Sequence, residues 1–290
     1  MANERTVAFD AASLNIGGHY APLPEFDRTE AWKHVFGQCA DIAICGLQEA
    51  RVELLDIFKM HDHGHWLGDV TDIGLACPIL YDRKRFEVLD AQSTWLSEKQ
   101  RQGRSFDDPA QRSVTALVLR ELETQERVLV GNTQLGYMPQ AIRRSMPMML
   151  DFMRRLASRH SVERQILMGD FNMNVAQLWH PRRWRTMQAI RNTFASRYAY
   201  KLLLRDGFED AATIATANGW TRGRGRMWTF NHWTDSPPFP WSNGGEFDLD
   251  YMLSKGLQAI MHTRIDIMYG GKPASDHHGI RTQYRITVQS

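Results

Sequence analysis

Short apolar runs recur along almost the whole chain, and they constrain the fold more than any other feature of the sequence. Their length and their content of Val, Ile, Leu and Phe are typical of β-strands. The runs are residues 7–16, 41–47, 73–81, 114–119, 128–135, 166–168, 249–253 and 280–288. In the last run every second residue is placed to share one face, which predicts a half-buried strand. These residues are Ile280, Thr282, Tyr284, Ile286 and Val288.

A few helical segments separate these runs. The first is predicted to follow Thr29 as a cap, and the second to begin near Ser145 with Pro147 tolerated in its first turn. A third, rich in arginine, is predicted for residues 184–200. Many strands with few helices indicate two packed sheets with helices outside, an α/β (α+β) class.

Composition bounds the domain organisation and the electrostatics. The 290 residues are 43% apolar, which is enough for a sizeable core, and no repeat or linker divides them. A single domain over residues 1–290 is therefore expected. The net charge of only +2 excludes a global basic field, so any attraction for nucleic acid must be local.

The cysteines and the N-terminus point to a reducing compartment. Cys39, Cys45 and Cys77 have neither a disulfide pattern nor zinc spacing. The first residues lack the apolar core of a secretory signal, and no run reaches the roughly 20 apolar residues of a membrane span. We expect an intracellular protein, cytoplasmic or nuclear, without a membrane span and monomeric.

Five polar motifs follow apolar runs at the predicted strand ends. They are Ser13-Leu14-Asn15-Ile16, Gly46-Leu47-Gln48-Glu49, Gly169-Asp170-Phe171-Asn172, Leu249-Asp250-Tyr251-Met252 and Ser275-Asp276-His277-His278. Burying an unpaired carboxylate is costly, and a shared cation relieves that cost. Oxygen ligands with few imidazoles favour Mg²⁺ or Mn²⁺ over zinc.

The order of these motifs resembles the endonuclease/exonuclease/phosphatase superfamily, which has a DNase I-like fold. The resemblance extends from Asn15 to His277 and covers nearly the whole chain. It implies a four-layered α/β sandwich, in which two mixed sheets pack face to face with helices outside. It also implies a metal-dependent hydrolase, since the superfamily includes nucleases, inositol polyphosphate phosphatases, sphingomyelinases and tyrosyl-DNA phosphodiesterases.

The resemblance also implies roles for individual residues. Glu49 would be the principal metal ligand, with Asn15 beside it and Asp276 completing or flanking the cluster. The implied catalytic groups are Asp170 and Asn172 for water and phosphate, His277 as general base or phosphate stabiliser, and Asp250 as the residue that fixes the His277 tautomer. Arg112 would face the substrate.

One position departs from the family pattern. Many relatives carry Asn-Thr-His-Leu on the central strand, whereas this chain has Asn132-Thr133-Gln134-Leu135. In one interpretation Tyr137, in a Gly-Tyr-Met-Pro-Gln context like that of the exonuclease III branch, replaces the imidazole. In the other, Gln134 occupies the histidine position and leaves a weakened enzyme.

A basic and aromatic segment is the candidate for substrate binding. Arg222, Arg224 and Arg226 alternate with glycines before Trp228, a pattern suited to nucleic-acid bases and phosphates, although a solvated surface gives the same pattern. The leading hypothesis is a Mg²⁺-dependent phosphodiesterase, a nuclease acting on DNA or RNA. The alternatives are a phosphatase or phosphodiesterase on inositol phosphates or sphingolipid headgroups, and a binding protein of the same fold that has lost turnover.

Overall fold

The computed structural model describes residues 4–17, 28–37, 39, 41–50, 63–66, 70–71, 74–75, 77–96, 112–173, 187–217 and 249–289. The strands within these ranges are β1 (Glu4–Asn15), β2 (Ile44–Gln48), β3 (His63–Trp66), β4 (Val70–Thr71), β5 (Gly74–Leu75), β6 (Ile79–Asp82), β7 (Phe86–Trp95), β8 (Ser113–Glu121), β9 (Arg127–Gln134), β10 (Arg164–Asp170), β11 (Glu209–Asp210), β12 (Asp250–Lys255), β13 (Gln258–Ile265), β14 (Met268–Tyr269), β15 (Lys272–Pro273) and β16 (Gly279–Gln289). The helices are α1 (Arg28–Gly37), α2 (Pro139–His160), α3 (Met187–Arg205) and α4 (Ala211–Ala217).

Two mixed six-stranded sheets contain most of these strands. The first sheet has the order β13-β16-β1-β2-β6-β3, and the second has the order β11-β12-β10-β9-β8-β7. Each sheet has one parallel pair near its centre, β1 with β2 and β9 with β10, among antiparallel neighbours. Parallel neighbours end at the same edge of a sheet. The carboxyl ends of these two pairs therefore supply most of the polar motifs.

The sheets pack face to face, and helices cover their outer faces. Phe9 and Ile44 of the first sheet meet Leu117 and Ile166 of the second in one buried cluster. A second cluster packs α2 and α3 against the second sheet, and a third packs α1 against the first. The predicted four-layered α/β sandwich is confirmed. No helix in the described ranges is long and apolar enough to cross a membrane.

Helix α2 begins earlier than the sequence pattern predicts. Its first residue is Pro139, so the prediction of a start near Ser145 is wrong. Proline suits the first position of a helix because its φ is already helical and its missing N–H is not needed there. Pro147 therefore lies inside the helix, on its exposed side. The third predicted helix corresponds to α3, and residues 184–186 lie outside the described ranges.

A buried polar strap joins the two sheets beneath the strand ends. Gln48 donates from Nε2 to Asn132 Oδ1 at 2.7 Å, and Asn132 donates from Nδ2 to the carbonyl oxygens of Leu47 and Pro78 at 2.8 and 2.9 Å. A β-carbon at Gly46 would lie 2.7 Å from Asn132 Cγ, so only glycine leaves room for this crossing. The strap fixes the distance between the sheets where the polar motifs converge.

Candidate active site

Two carboxylates from opposite sheets come together at the strand ends. Glu49 follows β2 in the first sheet, and Asp170 ends β10 in the second. Asn15 donates from Nδ2 to Glu49 Oε1 at 3.3 Å and to Asp170 Oδ2 at 3.2 Å. Gln134 donates from Nε2 to the same two oxygens at 2.7 and 3.2 Å. Two amide groups thus occupy the space between two carboxylates.

The backbone around Asp170 turns sharply to hold its carboxylate in place. Asn172 has a φ of 48°, and its N–H donates to Asp170 Oδ1 at 2.9 Å. The Asn172 side chain donates from Nδ2 to the carbonyl oxygen of Leu135 at 2.8 Å, which ties the turn to the end of β9. Glu49 also has a positive φ, 55°. Such conformations are costly for residues other than glycine and are concentrated at functional sites.

A carboxylate–imidazole pair lies beside this cluster. The Oδ2 atom of Asp250, at the start of β12, is 2.8 Å from Nδ1 of His277, and both side chains are buried. Burial disfavours the charged ring, but the charge and hydrogen bond of Asp250, with Asp170 and Asp276 nearby, raise the pKa of His277 to about 10. The backbone before His277 is held by Ser275, whose Oγ donates to the carbonyl oxygen of Asn15 at 2.7 Å.

The carboxylates are crowded with like charge. Burial raises the pKa of Asp170 to about 6; the charge of His277 opposes this rise, and that of Asp250 adds to it. Burial also raises the pKa of Asp276 against the opposing effect of His277, and Glu49 adds to the rise. Three buried carboxylates around one imidazole, with Glu49 close to Asp276, leave an excess of negative charge at the site.

The donor set fits a hard divalent cation. Carboxylate and amide oxygens with at most one imidazole are the ligands that Mg²⁺ and Mn²⁺ prefer. Ligand atoms of Asp170, Asp250 and His277 all lie within 4.8 Å of one another. The Asp250–His277 hydrogen bond engages one atom of each residue, so we favour Glu49 and Asp170, with Asp276, as the residues that would hold the ion. The side-chain oxygen of Asn15 accepts from the N–H of Gly17 at 3.0 Å, and its nitrogen faces the carboxylates.

The predicted site residues differ in where the structure places them. Gln134 is only 8% exposed and touches both carboxylates, whereas Tyr137 is 46% exposed. Arg112 is buried close to Cys77. Burial raises the pKa of the Cys77 thiol to about 12, and the charge of Arg112 and the backbone N–H of Gln134 oppose this rise. The proposed substrate residues Arg222, Arg224, Arg226 and Trp228 lie outside the described residues.

Sequence reasoning gave no role to the strap residues. Gln48 and Asn132 belong to the motifs that carry the family resemblance, but neither has an assigned function there. The signal in the sequence is a polar residue next to an apolar run, because such a residue needs a partner when it is buried, and both are 0% exposed. Only the packed structure shows that each is the other's partner across the sheets.

The described geometry is similar to that of several solved structures. An endonuclease/exonuclease/phosphatase family protein from Bacteroides thetaiotaomicron superposes with a TM-score of 0.73, covering 98% of this chain and 97% of that one at 17% identity. The chain has the endonuclease/exonuclease/phosphatase fold. The recognition of this fold from the order of the motifs is confirmed.

Two further solved structures are similar to this chain over nearly its whole length. A mannosyl-6-phosphatase from the same bacterium has a TM-score of 0.70 at 18% identity, covering 95% of this chain and 99% of that one. TDP2 from D. rerio, complexed with a single-strand DNA product, has a TM-score of 0.65 at 13% identity, covering 96% and 98%. No family model and no curated protein sequence matches the chain. At these identities the similarity establishes the fold.

Proposed function

We propose that this protein is a divalent-metal-dependent phosphoesterase. The observation that carries the proposal is the meeting of Glu49 and Asp170, from opposite sheets, beside the Asp250–His277 pair. A structural role does not account for so many buried acids at the ends of strands. A phosphate ester needs this combination, because its own negative charge repels nucleophiles and must be neutralised before water can attack.

The ion and the side chains divide the chemistry between them. A bound Mg²⁺ or Mn²⁺, held by Glu49 and Asp170 with Asp276, would neutralise charge on the phosphoryl oxygens. Asp170 would orient the attacking water, and the N–H of Asn172 holds the Asp170 carboxylate in place. His277 with a pKa of about 10 is protonated at neutral pH, which favours phosphate stabiliser over general base. Asp250 keeps the His277 ring oriented.

Gln134 contributes a hydrogen-bond donor but no proton. Its Nε2 reaches both carboxylates, so it lies where a histidine at this position would lie. An amide can orient a carboxylate or a phosphate oxygen but cannot act as an acid or base. We infer that the enzyme retains turnover at a reduced rate, and that Tyr137 does not replace the imidazole.

DNA or RNA, cleaved at a phosphodiester bond, is the substrate we favour. The single-strand DNA product in the structure of TDP2 supports it, since that protein shares the fold. A phosphatase or phosphodiesterase on a small phosphorylated sugar, inositol or lipid headgroup is the second candidate. The named mannosyl-6-phosphatase with the same fold supports that alternative.

A substrate panel tests the proposal. The purified chain is incubated with Mg²⁺ or Mn²⁺ and single- or double-stranded DNA, RNA, 5′-tyrosyl DNA, sphingomyelin, inositol phosphates or mannose 6-phosphate, with EDTA as the control. We expect metal-dependent cleavage of a nucleic acid. Cleavage of small phosphates alone would replace our choice of substrate, and no cleavage of any substrate would favour a binding protein without turnover.

A further inference from the structure

Helices α2 and α3 form a strongly basic layer on the outer face of the second sheet. Together they contain nine Arg or Lys residues and one Asp, a net charge of +8, against +2 for the whole chain. The rest of the chain is therefore net acidic. Both helices pack into one apolar cluster with the second sheet, so their opposite, polar sides face outward together. The low net charge of the protein conceals a positive surface.

The outward side of α3 carries three cations in a row. Arg197, Lys201 and Arg205 are exposed and four residues apart, so they lie on one side of the helix over about 12 Å. Within the described ranges none of the three forms an ion pair. Burial against the second sheet is left to small and apolar residues such as Ala199 and Leu203. Among the residues that the structure describes, this row has no ion-pair partner that would explain its charge.

The outward side of α2 continues the positive surface. Arg143 and Arg144 are exposed in its first turns, and Arg154, Arg155 and Arg159 in its last turns. Arg154 contacts Asp206 at 2.6 Å with 54% of its side chain exposed, and Arg155 pairs with Asp151 with 63% exposed. Ion pairs this exposed are weak, so these arginines can still contact a polyanion.

Aromatic side chains stand beside the cations of α3. Phe194 and Tyr198 lie one turn apart and are 49% and 43% exposed, next to Arg197 and Lys201. At 100° per residue Lys201 falls at the centre of the exposed face, while Tyr198 and Leu204 fall near its edges. Phe194 lies close to the same centre line, two turns before Lys201. A helix that inserts into a bilayer has apolar residues at the centre of its contact face. Here three cations and one ring share that centre, an arrangement that suits phosphates at the cations and bases against the rings.

We propose that the exposed face of α2 and α3 is a binding track for the sugar-phosphate backbone of a nucleic acid, separate from the carboxylate cluster. Phe194 and Tyr198 stack on bases of single-stranded segments, and the row of Arg197, Lys201 and Arg205 contacts successive phosphates. The track names nucleic acid as the substrate class and in that respect rests on the proposed function. Its existence does not require turnover.

Binding without catalysis tests the track. Fluorescence anisotropy of labelled single-stranded DNA, duplex DNA and RNA is measured in EDTA over a series of salt concentrations. The triple variant Arg197→Gln, Lys201→Gln, Arg205→Gln removes three phosphate contacts, so the slope of log K against log salt should flatten by about 2 for single strands. At low salt its affinity should fall by about tenfold or more. The double variant Phe194→Ala, Tyr198→Ala should weaken the binding of single-stranded DNA more than that of duplex DNA.

A matched control separates a local track from general charge. The variant Arg83→Gln, Lys84→Gln, Arg264→Gln removes the same charge from exposed positions away from α2 and α3 and should leave the slope unchanged. Equal effects of both triple variants, no nucleic-acid binding by the wild type, or binding of vesicles of acidic phospholipid in its place would each overturn the proposal. Binding with no hydrolysis would contradict only the proposed function. Hydrolysis that is unaffected by either triple variant, with no salt-dependent binding, would contradict only the track.

Discussion

At the scale of single residues, the hydrogen bond between Asp250 and His277 is the contact with the clearest catalytic consequence. Asp250→Asn keeps the shape of the side chain but removes the charge that orients the ring and raises the pKa of His277. We expect kcat to fall by about 10²- to 10³-fold, the usual contribution of one preorganised group that stabilises charge in the transition state, with little change in KM. Steady-state kinetics on the best substrate measures both. A loss confined to KM would contradict this role.

The raised pKa of Asp170 has a consequence for stability in the absence of metal. At a pH below the ordinary pKa of 3.8, the Asp170 carboxyl is protonated in both the folded and the unfolded chain. Between pH 3.8 and about pH 6 it ionises readily only in the unfolded chain. Stability is therefore lost as pH rises through this window, on the order of 3 kcal/mol for the full shift. The side chain at this position is neutral at every pH in the Asp170→Asn variant. The free energy of unfolding of the variant should therefore rise relative to that of the wild type between pH 4 and pH 7.

Urea unfolding in EDTA at several pH values measures this difference. Comparison with the variant cancels the titration of groups elsewhere in the chain. Saturating Mg²⁺ should reduce the gain or reverse it, because the cation favours the ionised carboxylate of the wild type. A difference between the two proteins that does not change with pH would show that Asp170 titrates normally.

The two interpretations of the central strand predict opposite results for variants of Gln134 and Tyr137. Gln134 contacts Glu49 and Asp170, so Gln134→His would place a proton-bearing group at the cluster and should raise kcat, by up to about a hundredfold. Tyr137→Phe should change kcat less than twofold, because the ring is half exposed. Kinetics of both variants on one substrate decides the matter. A crippled Tyr137→Phe with a neutral Gln134→His would restore the tyrosine interpretation.

At the scale of elements, the pairing of β9 with β10 sets the position of Asp170. Gly169 has a φ of 142°, and a β-carbon there would lie 1.9 Å from the carbonyl oxygen of Thr133 on the paired strand. Gly169→Ala should therefore destabilise the fold by about 3 kcal/mol or more and displace the Asp170 carboxylate. Gly37→Ala is the control, since nothing lies within 4 Å of its added β-carbon. Equal unfolding midpoints for the two variants would contradict this account.

The strands near the site were predictable because their signal is local. The run at residues 280–288 alternates, and its residues Ile280, Thr282, Tyr284 and Ile286 are buried as that alternation predicts. Strand β7 was not predicted, since its inner and outer residues are mostly half-buried and its sequence mixes Asp, Gln and Ser with apolar residues. The predicted start of α2 is wrong because proline is compatible with the first turn of a helix, and the sequence has a proline at both 139 and 147. Local patterns identify strands better than the ends of helices.

At the scale of the whole molecule, the site exists only when the two sheets pack together. Glu49 and Asn15 belong to the first sheet, and Gln134 and Asp170 to the second. The order of the motifs predicted which residues would be in the cluster, through the family resemblance. It could not predict that amide nitrogens of Asn15 and Gln134 lie between the carboxylates, or that Gln48 and Asn132 bridge the sheets. Those contacts join residues far apart in sequence and depend on packing.

Metal-dependent hydrolysis in the wild type and in Glu49→Ala is the most direct test of the central claim. The initial rate of cleavage of a labelled oligonucleotide and of a chromogenic phosphodiester is measured with Mg²⁺, with Mn²⁺ and with EDTA. We predict cleavage by the wild type with either ion, none above background with EDTA, and a loss of at least about a thousandfold in Glu49→Ala with its fold intact by circular dichroism. Cleavage that persists in EDTA, or a Glu49→Ala rate within a few-fold of the wild type, would contradict a metal-dependent site at this cluster.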